Sequence, residues 1–330
     1  QHLSSSKKYK RTIIFFVGRF IEEIVCKFSD IGIRPLSVFQ FRKLINNSKY
    51  IVSLTDGFSL SLGFYYSYLD KKNKIKLAGA FHGLSDYDKK LPNLFKKFYY
   101  RIYCNILKRL DFIIFYGPAD RLYSIKHFNL NRDKTYIIKF GVDTSFWKPN
   151  SKNNFYSKYL FSIGQDRARD FQTLIKVKTK KLIHIHTSLL DKFEDENIKI
   201  TNGTYNNLKN SFSDLTIRNL YQDSFAVIVP LKDVFQPSGY SVTLQAMACG
   251  KPVILTLTKG LWAPNIFKSF ENCILVSPKN VKEIESAIKN LESDPNLYKN
   301  ICINARKIVE EFFSINAANQ STLEIFENFK

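Results

Sequence analysis

Residues 236–256 read QPSGYSVTLQAMACGKPVILT. Pro237, Ser238, Gly239, Tyr240 and Ser241 form a small-residue loop, and 241–249 then reads as a helix. Gly250 suits the left-handed stop of that helix. Lys251 would add charge at its C-terminus, and Pro252 leads into a strand. A loop that runs straight into a helix N-terminus presents free backbone N–H groups at the positive end of the helix dipole. That arrangement suits a diphosphate. A second candidate is His82, followed by Gly83. It comes directly after a predicted strand over 75–81, at the C-terminal edge of a parallel sheet, where ligands bind in such folds. His184 and His186 share one face of another predicted strand with no third ligand in view, so no metal site is expected. Cys249 lies inside the motif helix and reads as packing rather than as a nucleophile.

The elements that must position these residues alternate strand and helix. Short apolar runs rich in β-branched and aromatic residues predict strands over 12–17, 36–40, 50–54, 75–81, 112–116 and 136–140. The second half adds strands over 159–163, 182–186, 226–229, 253–255 and 274–276. Most are continuous apolar runs, the pattern of strands buried on both faces of a parallel sheet. Helices between them make βαβ units. The class is α/β with two parallel sheets, one per half, joined near 141–154, where WKPNSKNN reads as a polar linker. Over 89–110, apolar residues recur in steps of three and one and draw a single stripe. Lys90, Lys97, Arg101 and Lys108 lie on the opposite face. Two readings of that face stand: a solvated basic surface on a sheet-covering helix, or a surface that rests on anionic lipid headgroups.

Composition narrows the class further. The 330 residues carry 50 Lys+Arg against 29 Asp+Glu, with 45% hydrophobic residues. This is an ordinary globular mixture with an unusual net charge of +21, which excludes a disordered or disulfide-scaffold chain. Residues 1–150 hold 27 Lys+Arg and 11 Asp+Glu, while 151–330 hold 23 and 18. The basic surplus therefore sits in the first half, and an anionic partner is expected there. Nucleic acid is not that partner, since no zinc-knuckle, recognition-helix or RRM-type motif is present. Five widely spaced cysteines without a CxxC pair read as reduced core thiols of a cytosolic protein. No apolar run is long enough for a membrane span. The opening QHLSSS has no signal-peptide layout and lacks Met.

The 245–254 segment, Gln-Ala-Met-Ala-Cys-Gly-Lys-Pro-Val-Ile, resembles the second half of the Glu-x7-Glu element of the family 4 glycosyltransferases of GT-B fold. Other segments agree in order. Phe140-Gly141-Val142-Asp143 with Phe146 and Pro149 is similar to the family's domain joint. Ser162-Ile163-Gly164 with Arg169-Asp170-Phe171 is similar to its phosphate-binding segment. Leu220-Tyr221 with 226–230 resembles a core strand, and 273–278, the helix over 281–291 and Ala305-Arg306 resemble its tail. Together these cover about 136–326.

The resemblance implies two Rossmann-like domains whose parallel sheets face a central cleft. An acceptor domain would span 1–145 and a nucleotide-sugar domain 146–313, with a helix over 314–330 crossing back. It implies a retaining glycosyltransferase that uses a nucleotide-diphospho-sugar, with no metal or other cofactor required. The acceptor would be a glycan or a lipid-linked glycan of cell-surface polysaccharide or glycolipid synthesis. The protein would be cytoplasmic and peripheral to an anionic membrane surface. By this resemblance Gly164, Arg167, Arg169, Ser238, Gly239, Tyr240 and Ser241 hold the donor diphosphate and sugar, and Gln245 the ribose. His82, Arg169 and Gln236 act at the reacting centre. The family's first Glu is Gln236 if the loop holds one extra residue, or Pro237 by strict spacing, and its second is Gln245. The Arg after the family's Gly is Gln165, with Arg167 two residues on. A GT-B nucleotide-sugar epimerase and a non-catalytic sugar- or polyanion-binding protein are the alternatives.

Overall fold

The computed structural model describes residues 20, 22–23, 33–70, 75–86, 93–150, 157, 159–190, 195–202 and 212–327. The predicted strand over 12–17, Cys26, Lys90 and residues 151–154 of the linker lie outside these residues. The chain divides into two compact units. The first holds the described residues up to Phe115 together with Arg121–Tyr136, and the second holds Tyr116–Asp120 and the chain from Ile137 onward.

In the first unit, helices α1 (Pro35–Gln40) and α2 (Arg42–Asn46) precede strand β1 (Tyr50–Ser53). The strand expected over 36–40 is thus a helix. Pro35 supplies a preformed helical φ at its first turn, and Val38 is fully buried. Next come α3 (Asp56–Phe64), β2 (Lys76–Phe81), α4 (Asn93–Arg109), β3 (Phe112–Phe115), α5 (Pro118–Phe128) and β4 (Thr135–Ile137). Among the described residues the sheet order is β1-β2-β3-β4, with the first three strands parallel. Leu77, Ala80, Phe81 and Phe115 are fully buried, as continuous apolar runs require. Against them pack Ile106, Leu107 and Leu110, the apolar side of α4 and its exit.

The second unit contains β5 (Tyr159–Ile163), α6 (Phe171–Leu174), β6 (Leu182–His186), β7 (Ile198–Thr201), α7 (Asp214–Asp223), β8 (Val227–Val229), α8 (Tyr240–Ala248), β9 (Val253–Thr256) and β10 (Ile274–Val276). Helices α9 (Val281–Ser293), α10 (Pro295–Phe312) and α11 (Ile315–Glu327) follow. The six strands are parallel in the order β10-β9-β8-β5-β6-β7. The chain therefore builds outward from β5 through β6 and β7, then returns to the other side of β5 with β8. Such a reversal opens a crevice outside the carboxyl ends of β5 and β8, the place where open α/β sheets bind ligands.

Several side chains fix this unit around helix α8. Gly250 has φ +69° and ends the helix as expected. Lys251 is not a surface charge: it is buried, its Nζ donates to the Ser224 carbonyl at 2.9 Å, and burial lowers its pKa to about 8. The Arg306 guanidinium donates to the carbonyls of Trp147 and Ala248 at 2.6 Å and of Thr144 at 2.9 Å. One arginine thus ties the 144–147 loop to the end of α8.

Candidate functional site

The carboxyl ends of β5 and β8 bring two glycines and an arginine together. Gly164 leaves β5, and its N–H donates to the His186 carbonyl at 3.2 Å while its own carbonyl accepts from Thr187 Oγ1 at 2.7 Å. Arg169 lies in a loop that pairs with the exit of β8: its backbone bridges Leu231, Asp170 N–H donates to Pro230 O at 3.0 Å, and Lys232 N–H to Ala168 O at 2.8 Å. Asp170 caps α6 through Thr173 N–H and Oγ1, which keeps this loop in register. The Arg169 side chain is only 6% exposed. It fills the space where Gly164 would carry a Cβ, so any other residue at 164 would overlap the guanidinium.

The same guanidinium reaches the start of α8. Gly239 is the N-cap of that helix, with φ +80° and no side-chain cap. A Cβ there would stand 3.4 Å from Arg169 Nη1 and 2.8 Å from Val229 Cγ1. Glycine is thus required twice, for the left-handed backbone and for the close approach. The outcome is a buried fixed cation beside the uncapped amides of a nine-residue helix. That combination supplies charge and N–H donors to an anion at one point.

The other predicted donor residues are placed less uniformly. Ser238 Oγ donates to Asp166 Oδ2 at 2.5 Å, and Asp166 also accepts from Ala168 N–H at 3.0 Å. Asp166 is a positioning residue that sequence reasoning missed: it joins the loop after β5 to the loop before α8. Tyr240 stacks on Tyr116 and packs against Phe140 and Trp262, with ring centroids at 6.1, 4.4 and 6.2 Å. Ser241 is half-buried one residue further along α8. Gln236 is half-buried, and the main chain at Gly260 presses against its carbonyl. Gln245 Oε1 accepts a long bond from the Tyr221 hydroxyl at 3.4 Å, so its amide also contacts α7. Arg167 is exposed, and its carbonyl accepts from Lys232 Nζ at 2.9 Å. Gln165, where the family has Arg, is turned to Ser188, which donates through N–H at 2.7 Å and through Oγ.

His82 belongs to the first unit and leaves the carboxyl end of β2. Its Nδ1 lies 2.9 Å from Asp56 Oδ1, and the same oxygen accepts its backbone N–H at 2.9 Å. A carboxylate only accepts, so Nδ1 carries the proton and Nε2 offers its lone pair when the ring is neutral. The imidazole is half-exposed and the Asp56 side chain 14% exposed. Asp56 was also missed, although an acidic residue opening a helix just after a strand is a readable signal.

The remaining histidine and cysteine candidates have structural roles. Thr201 Oγ1 sits 3.0 Å from His184 Nε2 and 2.9 Å from His186 Nδ1. Burial lowers the His184 pKa to about 4 and lowers that of His186 as well. Cys249, Cys273 and Cys302 have pKa values raised to about 12 by burial, which removes thiolate character at neutral pH. With Cys104 they are free thiols. On α4, Lys97, Arg101 and Lys108 are exposed. No helix among the described residues is long and apolar enough to cross a membrane.

Comparison with known proteins bears on the fold and on the segment that carries this site. Residues 207–308 match the family model described as glycosyl transferases group 1. An uncharacterized glycosyltransferase of Methanocaldococcus jannaschii is 33% identical over 112 residues, which is 34% of this chain and 27% of that protein. The chain thus spans about a quarter of the length of that curated relative. Among solved structures, sucrose-phosphate synthase from Thermosynechococcus elongatus superposes with a TM-score of 0.71 at 16% identity, over 89% of this chain and 77% of that one. Anabaena HepE in complex with UDP-glucose gives 0.69 at 16% identity, over 88% and 82%. Staphylococcus aureus TarM, bound to fondaparinux, α-GlcNAc-glycerol and UDP, gives 0.68 at 19% identity, over 88% and 58%. The chain carries a group 1 glycosyltransferase segment on a GT-B fold.

Proposed function

We propose that this chain is a retaining glycosyltransferase, of the family 4 type, that moves a sugar from a nucleotide-diphospho-sugar to an anionic glycan or lipid-linked acceptor. The observation that carries the reading is the Arg169 guanidinium, held between Gly164 and Gly239 at the reversal point of the second sheet. The physical task of the reaction is to stabilise the diphosphate as the glycosidic bond breaks. Arg169 supplies charge that needs no reorganisation, and the 239–241 amides supply donors. Arginine suits this better than lysine because its fork meets two phosphate oxygens at once. In this reading no metal ion is needed at the diphosphate. Ser238 and Gln236 contact the sugar and Gln245 the ribose, as a neutral acceptor and donor in place of a carboxylate. His82, its tautomer held by Asp56, orients the sugar near the reacting centre.

The relatives support the donor class: HepE is a structure with UDP-glucose and TarM one with UDP. The basic surplus of the first half supports an anionic acceptor, met at the cytoplasmic face of a membrane during polysaccharide or glycolipid synthesis. Calorimetry with a panel of nucleotide-sugars is expected to find one tight donor. If no nucleoside diphosphate binds, the transferase reading falls. A binding-only protein is the second reading, favoured by Gln236 and Gln245 where the family has glutamates. Tight donor binding with neither transfer nor hydrolysis over a broad acceptor set would select it.

A further inference from the structure

The last turn of α3 opens into a π-turn, Tyr65–Leu69, closed by Asp70 N–H donating to Tyr65 O at 3.0 Å. Widened turns of this kind recur at functional sites. This one faces the C-terminal half of α4 across an open pocket of about 400 Å³ lined by Tyr66, Ser67, Tyr68, Asn105, Lys108 and Arg109. The pocket lies at the amino edge of the first sheet. Arg109 Nη2 donates to Ile75 O at 3.0 Å just before β2, and its Nη1 approaches Asp111 Oδ2 at 3.7 Å just before β3. His82 leaves the opposite end of β2, a six-residue strand, so about 20 Å separates the two places at the usual rise per residue.

The walls are fixed by contacts unrelated to the His82 site. Gly63 lets α3 press on α4, since a Cβ there would stand 2.7 Å from Ile106 O. Ser67 Oγ donates to Asn105 O at 3.2 Å, and Asn105 Nδ2 donates to the Tyr68 hydroxyl at 3.0 Å. Tyr66 donates to Asn46 Oδ1 at 2.9 Å, and the Tyr68 ring packs on Phe64 at 4.9 Å. Arg109 acts as a strut. The surfaces offered outward are the Tyr68 ring, 37% exposed, the Asn105 amide and the Lys108 ammonium. Helix α4 contains no acidic residue. Lys97, Arg101, Asn105 and Lys108 recur in steps of four, four and three, and all are exposed, so they form one stripe that runs into the pocket. The stripe extends about 16 Å at the helical rise.

A half-exposed aromatic ring beside amide and hydroxyl groups fits the apolar face and hydroxyls of a sugar ring. A lysine at its rim and two more cations in line fit acid groups at intervals along a chain. We propose that the pocket and stripe hold an acidic glycan: one sugar on Tyr68 and Asn105, its carboxylate or phosphate on Lys108, and further acid groups on Arg101 and Lys97. This narrows the anionic acceptor of the proposed reaction and rests on that reading only for the word acceptor. The binding claim itself is independent of sugar transfer.

The test is calorimetry of the full chain with a hexasaccharide of alternating uronic acid and N-acetylhexosamine. A neutral maltohexaose and phosphatidylglycerol–phosphatidylcholine vesicles run beside it. The acidic hexasaccharide is expected to bind, with affinity falling as salt rises, and maltohexaose to bind at least tenfold more weakly. Lys108→Glu and Tyr68→Ala should each weaken the acidic ligand about tenfold. Both side chains are exposed, so the melting temperature should hold; Asn105→Ala serves if either variant is unstable. Failure of the acidic hexasaccharide to bind, equal binding by all variants, equal binding of the neutral sugar, or binding of vesicles alone would each overturn the proposal. Donor binding, measured separately in the same proteins and in Arg169→Ala, keeps its failure distinct from failure of the transferase reading.

Discussion

The two units hold their charge in opposite ways. In the second, two cations beside the motif are buried: Arg169 between two glycines and Lys251 just past α8. In the first, Lys97, Arg101 and Lys108 stand on an exposed helix face, and the His82–Asp56 pair is partly open. A buried guanidinium is fixed in place and weakly screened, so it can act on one atom of one ligand. Exposed ammonium groups act together, over a distance set by salt. The difference teaches that the net charge of +21 describes two devices, a point charge and a charged face.

Experiments can break this contrast, beginning with the largest effect. Arg169→Ala is expected to lower sugar-transfer turnover by about 10²-fold or more, the scale for removing a preorganised charge donor. Arg169→Lys should recover part of it. Unchanged turnover in Arg169→Ala would remove the point charge from the mechanism.

The second test concerns stability. The folded pKa of His184 lies near 4, below its usual value, because the buried ring resists protonation. Between about 4 and 6.5 the unfolded chain therefore binds more protons. Stability should be full above about pH 6.5 and fall as the pH drops toward 4, by on the order of 3 kcal/mol from this residue. Melting temperature against pH checks this, and His184→Asn should flatten the slope. A slope of the opposite sign would contradict a neutral buried imidazole.

Smaller effects sharpen the other unit. Asp56→Asn should lower kcat roughly tenfold with little change in KM, since it frees the imidazole that Asp56 orients. An effect confined to KM would make His82 a binding group only. Lys97→Glu should weaken the acidic hexasaccharide only severalfold, as for an exposed charge pair, and the loss should vanish at high salt.

Much of this was legible in the chain. Mostly apolar runs free of charged residues marked β5, β6 and β10 to the residue, as strands buried on both faces require; the polar groups they hold, Ser162, His184 and His186, are hydrogen-bonded. Gly250 marked the end of α8 because only glycine suits a left-handed cap there. Strand β7, Ile198–Thr201, escaped notice because it is an edge strand, short and partly exposed, and its sequence IKIT alternates. The Pro35–Gln40 sequence suggests a strand because Val38 and Phe39 favour extended structure locally, while packing and Pro35 favour the helix. Lys251 looked like a surface charge, since no local pattern shows that Ser224 O waits for its ammonium.

The sequence by itself determined the class: an α/β chain of two parallel sheets, a glycine-marked helix start suited to diphosphate, and a basic first half. These follow from short-range rules, in which each residue's type and its near neighbours suffice. Only the tertiary structure decided which residues meet. Ser238 and Asp166 are 72 positions apart and share a hydrogen bond. Arg169 reaches both Gly164 and Gly239 because β8 is laid beside β5 after the sheet has already grown the other way. Asp56 meets His82 for a similar reason, since β1 and β2 are parallel neighbours and the helix that follows β1 begins at the carboxyl end of both. Such contacts depend on strand order, a property of the packed core as a whole, and no stretch of chain carries it alone.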